Sequence, residues 1–447
     1  MSSRLKKDAN GPASADARRS PRRVAVASAI GTTIEWYDFF IYGTAAATVF
    51  GPRFFPQISP VAATLASFAT FGVGFVARPI GGVVMGHFGD RLGRKSMLVW
   101  SLMLMGVSTT GIGLLPDYQQ IGVWAPALLI ALRLVQGFAL GGEWGGAILM
   151  SVEHAPDGRR GFYGSVVALG LPLGIVLSNA VFLAASVLVD QAAFVAWGWR
   201  VPFLASALLV GVGLFVRVGL AESPVFAEVT RQGATRRAPV VDVVRSSGRT
   251  VLLAAGSYTG ISALGYVGLV YYVSYATRIL GLSLPAVLSP LLVAALLFGV
   301  AVVLFARWSD RIGRRRIMLW GNGILVAWSA VFFPLLDTGS GPAIWLALCV
   351  MLVTQGAYIG TQPAVFAELF PASIRYSGAS LSNTLGTILG GAPAPFIAAA
   401  LYDRFGSSTA VGAYITVMAL VSWVCVLALA ETRPEPTTDP PDRQAGS

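Results

Sequence analysis

The chain has 447 residues, of which 55% are hydrophobic and only 12% charged, with a mean hydropathy of +0.69. So little polar surface cannot coat a water-soluble globule of this size, which excludes a soluble enzyme or binding module and indicates a membrane protein. The formal charge of +11 follows from basic loops on one face of a membrane and requires no nucleic-acid partner.

In chain order, a basic tail over residues 1–23 precedes apolar runs long enough to cross a hydrocarbon core of about 30 Å as helices. Spans are expected at 24–50, 61–86, 97–115, 123–150, 162–189, 199–219, 250–276, 286–306, 317–336, 342–366, 377–401 and 409–430. Strands are set aside, because the runs are continuous and Gly-rich where a barrel shows alternating segments. The expected fold is an all-α membrane protein of twelve transmembrane helices. It divides into a six-helix bundle over 24–220, a cytoplasmic linker over 221–249 and a second bundle over 250–430. The tails at 1–23 and 431–447 have compositions of disordered segments.

Lys and Arg fall in alternate loops, while the opposite loops and span ends hold only Arg53, Arg200, Arg278 and Arg404. Both termini are therefore expected on the cytoplasmic side of a cell membrane. Cys349 and Cys425 lie inside predicted spans, far from any ligand-spaced partner, and read as packing residues. His87 and His154 lie at span ends without metal-ligand spacing or a nucleophile, and no Gly-x-x-x-x-Gly-Lys-Ser/Thr loop exists. Those features argue against an enzyme and against a nucleotide-driven pump.

The two halves repeat one another. "GHFGDRLGRK" (Gly86–Lys95) and "ARWSDRIGRR" (Ala306–Arg315) share Asp-Arg-x-Gly-Arg. "LVQGFALGGEW" (Leu134–Trp144) and "LVTQGAYIGTQP" (Leu352–Pro363) share Gln-Gly, and "EHAPDGRRG" (Glu153–Gly161) and "ELFPASIRYSG" (Glu368–Gly378) share Glu-x-x-Pro-x-x-x-Arg. Three pairs in one order indicate a duplicated six-span unit. Six spans per half give parallel repeats, an arrangement that encloses a mid-membrane cavity opened alternately to each side.

The Asp-Arg-x-Gly-Arg loop and its copy resemble the signature of the major facilitator superfamily. "GTTIEWYDFFIYG" (Gly31–Gly43), "ARPIGG" (Ala77–Gly82), "RLVQGFALGGEWGGA" (Arg133–Ala147) and "GWRVPF" (Gly198–Phe203) resemble its metabolite:proton symporter family. The likeness covers about residues 24–430. It implies proton-coupled uptake of a small polar metabolite such as shikimate, α-ketoglutarate, citrate, another organic acid, proline or betaine. The first span is most similar to the shikimate-type branch, and the tail lacks the coiled coil of osmosensing members. No cofactor is called for beyond a proton gradient. The partners expected are a small-molecule substrate, protons and lipid, without nucleic acid, around a functional monomer.

Ionisable residues within spans are costly and face a cavity or a partner. Counting ~1.5 Å per residue puts Glu35 ~18 Å and Asp38 ~22 Å inside the first span, with Arg133 near mid-depth of the fourth. The functional reading makes Glu35, Asp38 and Glu143 proton-coupling candidates, because a carboxylate desolvated in a cavity can load and release a proton near neutrality. Arg133 and Arg78 are fixed cations for a substrate carboxylate, with Tyr37, Gln136, Tyr258 and Asn383 as polar or aromatic lining. The bland reading of the same charges is a set of structural ion pairs, such as Glu35 or Asp38 with Arg133. The seventh span offers no equivalent pair of acids, which places the coupling chemistry in the first bundle. In the family the Asp-Arg-x-Gly-Arg loops act as a cytoplasmic latch. The residues concerned here are Asp90, Arg91 and Arg94, then Asp310, Arg311 and Arg314, with Glu153, Arg160, Glu368 and Arg375 as neighbours. A uniporter and a proton-coupled efflux antiporter are the alternatives carried.

Overall fold

The computed structural model describes residues 21–92, 94–141, 148, 151–152, 155, 159–218, 239–371 and 374–432. Each expected span is met by a helix. The first half contains α1 (Pro21–Thr48), α2 (Pro60–Leu92), α3 (Arg94–Leu114), α4 (Trp124–Leu140), α5 (Arg160–Ala168 and Gly170–Leu188) and α6 (Arg200–Val218). In the second half, α7 runs over Pro239–Tyr266, passes a π-helical turn at Val267–Tyr271 and ends with Tyr272–Arg278. There follow α8 (Leu284–Ile312), α9 (Arg314–Asp337) and α10 (Gly341–Glu368). Next, α11 comprises Arg375–Gly386, a π-turn at Thr387–Gly391 and Ala394–Phe405, and α12 covers Ser408–Ala428. No strand occurs among the described residues. Among them, eight helices meet the length and hydropathy needed to cross a bilayer outright, and the 17-residue α4 is shorter. Exposed rows such as Val76, Ile80 and Val83 on α2, or Leu208, Val212 and Phe215 on α6, recur at helical spacing and suit a lipid-facing surface.

Three boundaries differ from the sequence reading. The stretch Gly86–Lys95, expected as a loop, is helical to Leu92 and from Arg94 onward. Its repeat behaves alike: α8 continues to Ile312 and α9 starts at Arg314, joined by Gly313 at φ 108°, a conformation for which glycine is suited. The linker's end is helical from Pro239, with a kink at Ser247. At the start of the polar tail, the Glu431 carboxylate accepts the backbone N–H groups of Arg314 and Arg315 at 2.9 and 3.1 Å. It thereby satisfies orphan donors at the N-terminus of α9.

Small residues set the helix spacing around the first bundle's centre. A Cβ at Gly137 of α4 would lie 1.8 Å from the Gly74 carbonyl oxygen of α2, and one at Gly141 would lie 2.1 Å from the Arg78 carbonyl oxygen. Only glycine permits this approach, which brings the backbones carrying Arg78 and Arg133 together.

The halves touch at both ends. At the end bearing Arg53 and Arg278, Phe68 packs on Tyr271, and Arg278 donates to the Thr64 hydroxyl. Slightly deeper, Phe39, Phe71 and Phe75 surround Tyr266 at 5.4–5.7 Å between ring centroids. At the opposite end Ile148, Val152 and Val167 form an apolar seal with Ala367.

Candidate functional site

Between these closures lies a narrow cleft with a cavity volume of about 30 Å³. The first half contributes Glu35, Trp36, Arg78, Leu140 and Gly141, and the second Tyr258, Ser380, Asn383, Thr384 and Thr387. Four residues expected from sequence, Glu35, Arg78, Tyr258 and Asn383, therefore share one space across the two repeats. Arg78 lies over the Phe75 and Phe39 rings at 4.6 and 5.3 Å, and its buried Nε has no hydrogen-bond partner. The Ser380 hydroxyl is likewise buried and unpartnered. Asn383 accepts from Gln362 Nε2 at 3.0 Å, which leaves its own amide nitrogen for another acceptor. Tyr258 stacks on Tyr358 at 5.8 Å. A second, adjoining cleft shares Trp36 and Tyr258 and reaches Gln362.

The two acids of α1 face different ways. Three helical residues turn by about 300°, so Glu35 and Asp38 sit about 60° apart around the axis. Glu35 is directed into the cleft. Asp38 is fully buried in the first bundle, where Ser206 of α6 donates to Oδ1 at 2.5 Å and Thr109 of α3 donates to Oδ2 at 3.0 Å. No arginine forms an ion pair with it among the described residues, so the direct Asp38–Arg133 bridge of the bland reading is absent.

Arg133 is connected to Asp38 indirectly. Its Nη1 donates to Gln136 Oε1 at 3.1 Å, Gln136 Nε2 donates to Thr109 Oγ1 at 2.7 Å, and Thr109 reaches Asp38. The guanidinium lies over the rings of Tyr42, Phe39 and Phe71 at 4.1, 4.9 and 5.1 Å. Its Nη2 donates to the Phe71 carbonyl at 3.4 Å. Arg133 is 1% exposed and does not line the cleft, so in this closed arrangement Arg78 is the cation that a ligand there would meet. Gln136 is a link in the chain of bonds and does not line the cleft either. Tyr37, read as substrate lining, is fully buried with its hydroxyl donating to the Pro202 carbonyl of α6 at 2.7 Å. Its neighbour Asp38 explains this, since both side chains turn toward α6.

The candidate latch is described for the second copy. Asp310 accepts the backbone N–H groups of Gly161 and Phe162 of the first half at 3.0 and 3.1 Å, beside the N-terminus of α5. Arg314 is buried, pairs with Asp310, and holds Glu368 through Nη2 and Nε at 3.2 and 3.3 Å. Thr432 donates to Glu368 at 2.9 Å. Arg307 covers the Phe162 ring at 4.6 Å. Arg375 donates to the Phe370 carbonyl at 3.3 Å within its own half, Arg311 is exposed, and Arg160 opens α5. Glu143 and Glu153 lie outside the described residues, as do the side chains of Asp90, Arg91 and Arg94.

Thr109, Ser206, Ser380, Thr384 and Thr387 escaped the sequence reading. In apolar helices, hydroxyl residues commonly bond the preceding turn, as Thr109 also does to the Met105 carbonyl at 2.9 Å, and carry no distinctive signal. One signal was available: Ser380, Asn383, Thr384 and Thr387 recur at one-face helical spacing.

A model of the Major Facilitator Superfamily matches residues 28–395. The chain is 44% identical over 419 residues to an inner membrane metabolite transport protein, YhjE, of Escherichia coli (strain K12), covering 93% of this chain and 95% of the relative. It is 40% identical to the shikimate transporter of the same organism, over 92% of this chain and 95% of that one. With the proline/betaine transporter of E. coli the identity is 32%, over 93% of this chain and 84% of that protein. Its fold is similar to that of the E. coli xylose transporter XylE in a partially occluded inward-open conformation. The TM-score is 0.74 at 16% identity, over 93% of this chain and 99% of the other.

Proposed function

Because the chain belongs to the Major Facilitator Superfamily, we propose that it is a proton symporter importing a small organic acid, of which shikimate is one example, by alternating access. It is a transporter and not an enzyme, held in a cell membrane by many spans. The further assignment is that both termini face the cytoplasm, so that the Asp310 end is the inner gate and the Arg278 end the outer one.

The observation that carries this reading is the division of charge in the first half. An enclosed Asp38, bonded only by hydroxyls, stands behind the cleft, and a cation, Arg78, stands within it. An enclosed carboxylate without a contacting cation opposes closure unless a proton neutralises it. A substrate anion at Arg78 likewise neutralises charge that the closing halves must occlude. In the empty carrier the Asp38 carboxylate and the Arg78 guanidinium offset each other in net charge, so the doubly loaded and the empty forms are the two that close without an uncompensated charge, which is the requirement of symport. Thr109 and Gln136 pass the charge state of Asp38 to Arg133, whose aromatic cage includes Phe39. That ring also lies under Arg78, so proton and substrate act on one contiguous group of side chains. Glu35 faces the cleft and is the second candidate for the proton.

Purified protein in liposomes tests the assignment. An inward proton gradient is expected to drive shikimate accumulation, and Asp38→Asn to abolish accumulation while retaining exchange of labelled for unlabelled shikimate. Undiminished accumulation by Asp38→Asn removes Asp38 as the carrier. Equilibration without accumulation in the wild type favours a uniporter, and gradient-driven extrusion favours an antiporter.

A further inference from the structure

Resting on the reading of the cleft as the substrate site, we propose that its two walls divide recognition between them. Arg78 holds a single carboxylate, and the polar stripe of α11 selects a ligand that also carries hydroxyl groups. The stripe is Ser380, Asn383, Thr384 and Thr387, spaced so that all four lie along one face of the helix. Two unsatisfied groups oppose each other across the interface between halves: Arg78 Nε on the first and the Ser380 hydroxyl on the second. Native interiors rarely leave such groups unpaired, so a pair of them lining one cleft marks the place of ligand atoms.

The partners along the stripe define the chemistry further. Asn383 is oriented by Gln362 and presents an amide N–H, and Thr387 donates to the backbone carbonyl of Asn383 at 2.8 Å and also meets the Tyr258 side chain, which leaves it a lone pair to accept. The Thr384 hydroxyl makes no hydrogen bond among the described residues. The wall thus offers both donors and acceptors without a charge, matching alcohol groups rather than a second anion. Arg78 is the only cation lining the cleft among the described residues, and Glu35 stands beside it, so a dicarboxylate or tricarboxylate would bring an anion against an acid. A quaternary ammonium ligand has no N–H or O–H to donate to the stripe. The class that fits is a small hydroxylated monocarboxylate.

The test measures binding and exchange with four probes on the full-length protein in liposomes: shikimate, benzoate, glycine betaine and citrate. Shikimate is expected to compete best, with benzoate, which has the carboxylate but no hydroxyl, weaker by about tenfold, the cost of burying polar groups without partners. Ser380→Ala and Thr384→Val are expected to lower shikimate affinity by about fivefold to tenfold and leave benzoate affinity unchanged. Arg78→Gln is expected to weaken both anions. Equal affinity for shikimate and benzoate, or equal loss of both in the α11 variants, overturns the role of the stripe while leaving an anion site at Arg78. Binding of betaine alone overturns the hydroxyl selection by the stripe, since betaine carries a carboxylate for Arg78 but no hydroxyl group. Citrate as the best competitor overturns the single-carboxylate assignment.

Discussion

Replacing Asp310 by alanine should loosen the closure between the halves at its end of the molecule by an amount that can be worked from two bonds. The carboxylate accepts two backbone N–H groups of the other half at 3.0 and 3.1 Å, and hydrogen bonds to a charged acceptor contribute about 1.5–3 kcal/mol each after exchange with water. The favourable charge at the N-terminus of α5 acts through those same N–H groups and is not added. The ion pair with Arg314 lies within the second half and persists when the gate opens, so it cancels. The net bias toward closure is then about 3–6 kcal/mol, or at least roughly a hundredfold in the ratio of closed to open forms. Asp310→Asn keeps the shape but has a single acceptor oxygen, so at most one neutral bond of the two survives, and it should shift the ratio by at least about tenfold. A cysteine at Ala367, which lies in the apolar seal, reports opening through its rate of maleimide labelling, once Cys349 and Cys425 have been replaced by serine. Labelling should accelerate in the order wild type, Asp310→Asn, Asp310→Ala. An unchanged rate, or an equal acceleration by Arg316→Ala at an exposed cation nearby, would refute the reasoning.

Gln136→Leu breaks the chain of bonds between Asp38 and Arg133 without touching the cleft. Proton-driven accumulation should fall more than tenfold while exchange stays within about threefold, and a parallel fall in both would show that Gln136 only supports the fold. Gly137→Ala should destabilise the protein in detergent by at least about 1–3 kcal/mol through collision with the Gly74 carbonyl. Gly211→Ala, whose Cβ meets open space, should be neutral or raise stability by up to about 1 kcal/mol, and similar unfolding temperatures for the two variants would contradict the packing described. Glu431→Ala removes the carboxylate at the N-terminus of α9 and should cost about 0.5–2 kcal/mol, read by the same thermal unfolding, with no loss expected if those N–H groups are equally well served by water.

The span pattern was legible because a lipid-crossing helix must be continuously apolar over a fixed length, a constraint each segment meets by itself. The duplication was legible for a similar reason, since its three motif pairs are strings at matching positions. Local strings misled where direction mattered. Tyr37 and Asp38 lie within the same polar-looking stretch as Glu35, yet helix rotation turns them toward Pro202 and Ser206 of α6, away from the cleft. Likewise Gly86–Lys95 has the composition of a loop, but α2 continues helically to Leu92.

The amino-acid sequence by itself determined that this is a helical membrane protein, how often it crosses, that it is two related halves, and which few charges are costly enough to matter. Each of these depends on composition, length or spacing along one segment. Only the tertiary structure decided which charges meet. Arg78 shares the cleft with Glu35 and the α11 stripe, while Arg133 is enclosed by aromatic rings and reaches Asp38 through Gln136 and Thr109. Those relations are set by how far each helix is rotated about its axis and how closely glycines such as Gly137 let its neighbours approach. Rotation and approach are fixed by contacts between segments far apart in the chain, which no single stretch of residues encodes.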